Sequence, residues 1–439
     1  MKLAHRLRSV ALSVIVSKRY RALRRRLADW RRRLTGKPHV VSVFLQIDDP
    51  YSYLLSHYLP ALAEHYDIEL RLYLSQALGE EFQPAPGLLA EYAVHDCRRV
   101  ARELGVPFLD RGEYPPTELR VALADAIATS GDEEFLGALA AYWRGDAEAA
   151  ARRGNAATKG AGDAAIRTAQ AVLKKLGHYN SAMLHYGGEW YWGVDRLHYL
   201  TARLDSLGLA RHDHANPQLA SIQQAMRTSL PVTPPAAAKR LPPLEFFISM
   251  RSPYSYLSLQ PVFEIADAYG IKLKIRLVLP MVMRGVAVPK AKLLYIVADT
   301  TREGERIGVP FGKMADPVGT GIDRIYAVHQ YARSEGRERE YLLQTGAAVW
   351  ANAIDVATDE GLRKVTGKTG LFWPEASAAL QNDDWRAEVE TNREAMMASG
   401  SWGVPTLKMG EFVTWGQDRT WLLVRHLEDL CESEGGIVV

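Results

Sequence analysis

Two stretches decide how this chain reads: Asp49-Pro50-Tyr51-Ser52-Tyr53-Leu54 and Ser252-Pro253-Tyr254-Ser255-Tyr256-Leu257. One offset of 203 residues (49 to 252) carries the first onto the second. The same offset carries Phe44, Tyr92 and Asp96 onto Phe247, Tyr295 and Asp299. It also carries Gly105-Val106-Pro107-Phe108 onto Gly308-Val309-Pro310-Phe311. A constant offset over that span means two ungapped copies of one unit. The copies differ at one position of chemical consequence, because Asp49 stands where Ser252 stands.

Each motif follows an apolar strand and opens a helix. Val40 to Ile47 is followed by a helix from Pro50 to about Tyr66, then by alternation at Ile68, Leu70, Leu72 and Leu74. The second copy repeats this with Leu244 to Met250, Pro253 to about Tyr269, and Ile271, Leu273, Ile275 and Leu277. Strand, helix and strand in this order predict a parallel unit with a right-handed crossover. Helical stretches follow over roughly 117–176 and 321–400, the latter with breaks near Gly370 and Pro374. The copies realign at Gly193-Val194-Asp195-Arg196 and Gly416-Gln417-Asp418-Arg419, now 223 residues apart (193 to 416). A hairpin pattern precedes each and a Leu-rich helix follows. This is a thioredoxin-like plan, so the expected fold class is α/β: two tandem thioredoxin-like domains, each with an inserted helical subdomain.

The expected segments are a basic amphipathic helix over 1–37, a first domain over 38–210, a Pro-rich linker over 211–243 and a second domain over 244–439. Pro231, Pro234, Pro235, Pro242 and Pro243 argue that the linker resists regular structure. Charge divides unevenly along the 439 residues. Residues 1–37 hold 13 Lys and Arg against Asp29 alone, while the remainder holds 41 basic and 50 acidic side chains. Tyr20, Leu23, Leu27, Trp30 and Leu34 recur at helical spacing among arginines. Such a helix can dock its apolar stripe on the acidic body, lie on an anionic membrane surface, serve as a targeting segment, or meet nucleic acid. No recognised nucleic-acid motif supports the last. The apolar run Val10 to Val16 is too short to span a bilayer, and Ser17-Lys18-Arg19 follows it in place of a small-residue cleavage site. The expectation is a cytoplasmic protein, peripheral at a membrane if the helix meets lipid.

Chemistry has few places to sit. Cys97 and Cys431 make neither a C-x-x-C nor a disulfide framework. The 12 histidines form no H-x-x-x-H pair, and no Gly-rich phosphate loop follows either first strand, so no metal is expected. Ser252-Pro253 fits a plain helix cap, as does Asp49-Pro50. A hydroxyl at a helix N-terminus could in addition donate to a thiolate and lower that thiol's pKa, whereas an ionised Asp49 would repel the anion. Gly403-Val404-Pro405-Thr406 is either a turn at a strand edge or a cis proline that presents the Val404 backbone to an extended ligand. The first copy reads Asn180-Ser181-Ala182-Met183 there. Asp418-Arg419 is either an ordinary helix start or a pair that holds the charged ends of a peptide-like ligand.

Taken in order, Phe247 through Leu257, Gly308 through Phe311, Gly403 through Thr406 and Phe412 through Arg419 resemble the DsbA-related thioredoxin-fold group. Within it they look most like 2-hydroxychromene-2-carboxylate isomerases and kappa-class glutathione transferases. The resemblance covers about 244–430 well and about 40–210 in a degenerate form. It implies glutathione as cofactor, with Ser252 as the catalytic residue that contacts its thiol. It implies that Val404, before Pro405, pairs with the glutathione backbone and that Asp418 meets the γ-glutamyl end, with Gln417 and Arg419 as neighbours. Arg251 departs from the pattern, which commonly has an apolar residue there. The expected function is a glutathione-dependent isomerase or transferase acting on an electrophilic, aromatic substrate, with the two copies paired within the chain. The rival readings are a non-catalytic binding or scaffold protein and a thiol-disulfide oxidoreductase of the same superfamily.

Overall fold

The computed structural model describes residues 13–76, 79, 82–83, 85–109, 113–129, 132–146, 148–149, 152 and 159–435. Residues 1–12, which include the start of the basic segment and of its apolar run, lie outside the described residues. The chain divides into two compact units, one of Ala22–Arg227 and one that joins the residues up to Arg21 with those from Thr228 onward.

In the first unit, β1 (Val40–Leu45) is central. It pairs in parallel with β2 (Glu69–Leu74) and antiparallel with β3 (Met183–Tyr186), which turns back into β4 (Glu189–Trp192). In the second unit, β5 (Leu244–Ile248) pairs in parallel with β6 (Leu273–Leu277) and antiparallel with β7 (Thr406–Met409), which turns back into β8 (Phe412–Trp415). The registers coincide as well. Phe44 faces Met183 and Phe247 faces Thr406; Ser42 faces His185 and Glu245 faces Lys408. Val43, Phe44, Leu45, Phe246, Phe247 and Ile248 are fully buried, which is why the central strands read as near-continuous apolar runs.

Between the parallel strands lies the motif helix. In the second unit it is one piece, Pro253–Tyr269. In the first it is two, Pro50–Ser56 and Leu59–His65, not the single helix expected to about Tyr66. Pro60 sits in the first turn of the second piece, where its missing N–H and fixed φ suit a restart better than a continuation. The inserted helices begin earlier than the apolar periodicity suggests, at Pro86–Leu104 and Lys290–Ile307. The expected break near Gly370 and Pro374 is present: Asp359–Lys368 ends there and Trp373–Ala379 starts with Pro374 in its first turn.

The stretch 211–243 is more ordered than its prolines suggest. Asn216 caps a helix, Pro217–Ala225, by accepting from the Gln218 and Leu219 N–H groups. Leu219 and Ile222 are buried, and Gln218 Nε2 donates to His57 O at 2.9 Å. Here a proline after an Asn starts a helix instead of preventing one. Among the described residues, no helix is long and apolar enough to cross a membrane.

Candidate active site

Ser252 closes the turn after β5. It is extended (φ −88°, ψ 116°) and its Oγ accepts from the Ser255 N–H at 3.1 Å. The Ser249 N–H donates to Ser255 Oγ at 3.3 Å, so the strand end and the helix start hold each other. Tyr254 OH donates to Asp299 Oδ2 at 2.9 Å, and Arg302 donates to Asp299 Oδ1 at 3.0 Å. Asp299 is wholly buried on the Lys290–Ile307 helix. This network pins the motif helix to the start of the insertion.

The second wall of the site is the loop before β7. The Val404–Pro405 peptide bond is cis. Pro405 O accepts from the Gly416 N–H at 2.9 Å, which ties this loop to the turn after β8. Ser252 Oγ donates to Val404 O at 3.4 Å, well beyond the usual O–H···O distance. The hydroxyl proton therefore points at the loop but is weakly held. Among the described residues, the Val404 N–H makes no hydrogen bond and the buried Trp402 Nε1 has no partner. Two buried or half-buried donors left over beside a weakly held hydroxyl are what an extended, acceptor-rich ligand would use.

Trp402 and Trp415 pack at 5.0 Å between ring centroids. Gly403 allows this, because a Cβ there would lie 2.5 Å from Trp415 Nε1. Lys292 Nζ sits 5.8 Å from the Trp402 ring centroid. Burial lowers its pKa from 10.5 to about 8. A lysine lowered in this way costs stability: protonation of the unfolded chain between pH 10.5 and 8 is not matched in the folded one. Lys292→Met is thus expected to stabilise the protein by about 2 kcal/mol at pH 7, with allowance for partial exposure, and to leave stability unchanged above pH 11. Thermal denaturation at both pH values checks this.

The turn Gly416–Arg419 carries the remaining expected residues. Gly416 has φ 112°, and a Cβ there would meet Asp418 Oδ1 at 2.6 Å. Gln417 is buried, and its Nε2 donates to Glu303 Oε2 at 3.0 Å. Arg419 is only 2% exposed. It donates to Asp418 O at 3.3 Å, and its guanidinium lies 3.8 Å from Asp418 Oδ1. The structure therefore brings Ser252, Val404 and Pro405 together, turns Gln417 and Arg419 inward, and leaves Asp418 as the partly exposed charge of its turn. Arg251 is engaged by Asp316 through two bonds of 2.7 and 2.8 Å. The sequence reading missed Lys292, Trp402 and the Tyr254–Asp299 pair. For the last, the constant offset of Tyr51 and Asp96 was the available signal.

The equivalent place in the first unit is closed. Asp49 Oδ2 accepts from Ser52 N at 3.1 Å, Ser52 Oγ at 2.6 Å and Ser181 Oγ at 2.9 Å, and Oδ1 accepts from Tyr51 N at 3.2 Å. Burial raises the Asp49 pKa above its ordinary 3.8, against the lowering effect of the Ser52, Ser181 and Tyr51 bonds. Ala182, with φ 52°, stands in the position of Pro405, and its carbonyl accepts from the Gly193 N–H at 2.7 Å. Tyr51 OH still donates to Asp96 Oδ2 at 3.0 Å. The Asp49 carboxylate thus satisfies the N–H groups of Tyr51 and Ser52 and the hydroxyls of Ser52 and Ser181. Neither Cys97 nor Cys431 forms a disulfide, and burial raises the Cys431 pKa, which favours its thiol form. Among the described residues, no group of three or more His, Cys, Asp or Glu is placed to hold a metal ion.

The sequence pattern of the DSBA-like thioredoxin domain matches residues 243–428. The C-terminal half is a DSBA-like thioredoxin domain. A 2-hydroxychromene-2-carboxylate isomerase of Pseudomonas putida is 24% identical over 202 residues, 44% of this chain and 98% of its own length. One from Pseudomonas sp. (strain C18) is 23% identical over 188 residues, 41% of this chain and 87% of its own length. Among solved structures, a 2-hydroxychromene-2-carboxylate isomerase is 22% identical, with a TM-score of 0.40, and covers 45% of this chain and 100% of its own. The cytosolic disulfide reductase DsbM from Pseudomonas aeruginosa, with GSH, is 17% identical, with a TM-score of 0.33, and covers 43% and 99%. Both of these curated relatives of the DSBA-like domain are 2-hydroxychromene-2-carboxylate isomerases. Neither half of this chain carries the C-x-x-C of a dithiol centre.

Proposed function

We propose that the DSBA-like domain is a glutathione-dependent isomerase or transferase for an electrophilic, aromatic organic substrate, and that the first unit is a degenerate second copy of the same thioredoxin-like plan. The observation that carries this reading is the Ser252 hydroxyl, set at a helix N-terminus, where it accepts from the Ser255 N–H at 3.1 Å while its proton is held by a long 3.4 Å contact to Val404 O. Glutathione bound here would supply a thiolate nucleophile. The chain's own groups have matching tasks. Ser252 Oγ turns from Val404 O to donate to sulfur, and the N-terminal end of the Pro253–Tyr269 helix favours negative charge there. Val404 N–H pairs with a peptide-like backbone. Asp418 meets an ammonium group, while Gln417 and Arg419 keep its turn in place from within. The Trp402–Trp415 pair offers an apolar wall to an aromatic substrate.

Calorimetric titration of glutathione into the full chain tests this. Saturable binding that weakens about tenfold or more in Asp418→Ala is the expected result, in keeping with loss of a charge-assisted bond. Absence of binding at millimolar glutathione would remove the cofactor from the reading and favour the scaffold alternative.

A further inference from the structure

The basic helix Lys18–Leu34 places its faces opposite to a docking arrangement. At about 100° per residue, Leu23, Leu27, Trp30 and Leu34 fall in one stripe roughly 60° wide. These four are 53, 45, 59 and 66% exposed. The far side of the helix is the one that meets protein. Arg25 pairs with Glu189 at 3.0 Å, and Glu189 in turn holds the buried Arg203 at 2.6 Å. Half-buried Arg32 donates to Lys37 O at 3.2 Å. Arg24, nearer the stripe, donates to Gly188 O at 2.9 Å. The expectation that the apolar stripe docks on the body is therefore not met within Ala22–Arg227; arginines hold the helix in its place.

The stripe is edged by Arg19, Arg26 and Arg33 on one side and Arg31 on the other. Among the described residues, Arg19, Arg26 and Arg31 are exposed and make no ion pair, and Arg33 has only Asp29 at 3.7 Å. We propose that this helix lies on an anionic lipid bilayer, with Leu23, Leu27, Trp30 and Leu34 in the boundary between headgroups and acyl chains and the flanking arginines on lipid phosphates.

Charge complementarity selects this occupant. A second copy laid stripe to stripe would bring arginine edges together, since Asp29 is the only acid on the helix. A nucleic acid would use the arginines but gives no reason for four exposed apolar side chains centred between them. A surface that is both anionic and apolar below the charge uses both features. The helix, 17 residues and about 25 Å long, would lie flat, with Trp30 at the interface.

Co-sedimentation of the full chain with phosphatidylcholine vesicles, with and without one-third phosphatidylglycerol, tests the proposal. The chain should pellet with the anionic vesicles and be released by high salt. Trp30→Glu with Leu27→Glu, and separately Arg19, Arg26 and Arg31→Ala, should each lower partitioning by about tenfold or more. Both variants alter exposed side chains, and an unchanged circular dichroism spectrum shows that they fold. Three results would overturn the proposal. One is no binding to anionic vesicles, or binding that both variants leave unchanged. Another is retention of a duplex DNA oligonucleotide in place of vesicles. The third is self-association that Leu27→Glu abolishes while vesicles are ignored.

Discussion

Ser252→Ala is expected to cost the protein the glutathione-dependent turnover proposed for it and little of its stability. The hydroxyl has two duties of unequal weight. As a cap it accepts one N–H, from Ser255 at 3.1 Å, and loss of a cap costs about 1 kcal/mol. As a donor to a developing or resting anion in a water-poor site, a single hydrogen bond is worth about 100- to 1,000-fold in rate. Turnover should therefore fall by that factor while the melting temperature moves by only a few degrees. A serine that only caps would show the second effect without the first. Ser252→Thr, which keeps both cap and hydroxyl, should retain far more activity than Ser252→Ala. Kinetics with glutathione and an electrophilic aromatic substrate, beside thermal melts, separate the cases.

The second large effect is expected at Asp49, and it concerns stability. Asp49→Ala leaves the Tyr51 and Ser52 N–H groups and the Ser52 and Ser181 hydroxyls without their acceptor. Loss of the cap and of the Ser181 bond should destabilise the first unit by about 2–3 kcal/mol at pH 7. Asp49→Asn keeps an acceptor and removes the charge, so it should lie within about 1 kcal/mol of the parent. The pH dependence gives the sign. Burial raises the folded pKa of Asp49 above 3.8, so the stability linked to its protonation is full below that value and is lost as pH rises through the folded pKa. The parent should therefore gain on Asp49→Asn as pH falls towards 3.8. Urea denaturation of both proteins at several pH values measures this, and a parent that loses ground on acidification would show that the carboxylate is stabilised as an anion.

Much of this was legible in the residues, and the reasons differ by element. The parallel pair and the hairpin were readable because Phe44 and Phe247 sit in apolar runs that two covered faces demand. That Asp49 stands where Ser252 does was readable because both types cap a helix, so the two stretches align across the change of side chain. The break at Pro60 was not, because the periodicity on either side stays helical. The helix after Asn216 was hidden by composition: prolines mark both turns and helix starts, and only burial of Leu219 and Ile222 decides. Gln417 and Arg419 were grouped with Asp418 by sequence alone. Their inward orientation follows from a short turn whose partner, Glu303, lies 114 residues away. The approach of Lys292 to Trp402 is likewise tertiary and leaves no trace in local spacing.

On the function proposed above, Ser252 is a thiolate-stabilising hydroxyl in one half of the chain, at the position where Asp49 stands in the other. Ultraviolet titration of the glutathione thiolate in complex with the full chain tests it most directly. The bound thiol should ionise well below the ordinary value of about 8.5, and Ser252→Ala should return it towards that value. A bound thiol that titrates like free glutathione, or one whose shift survives Ser252→Ala, would contradict it.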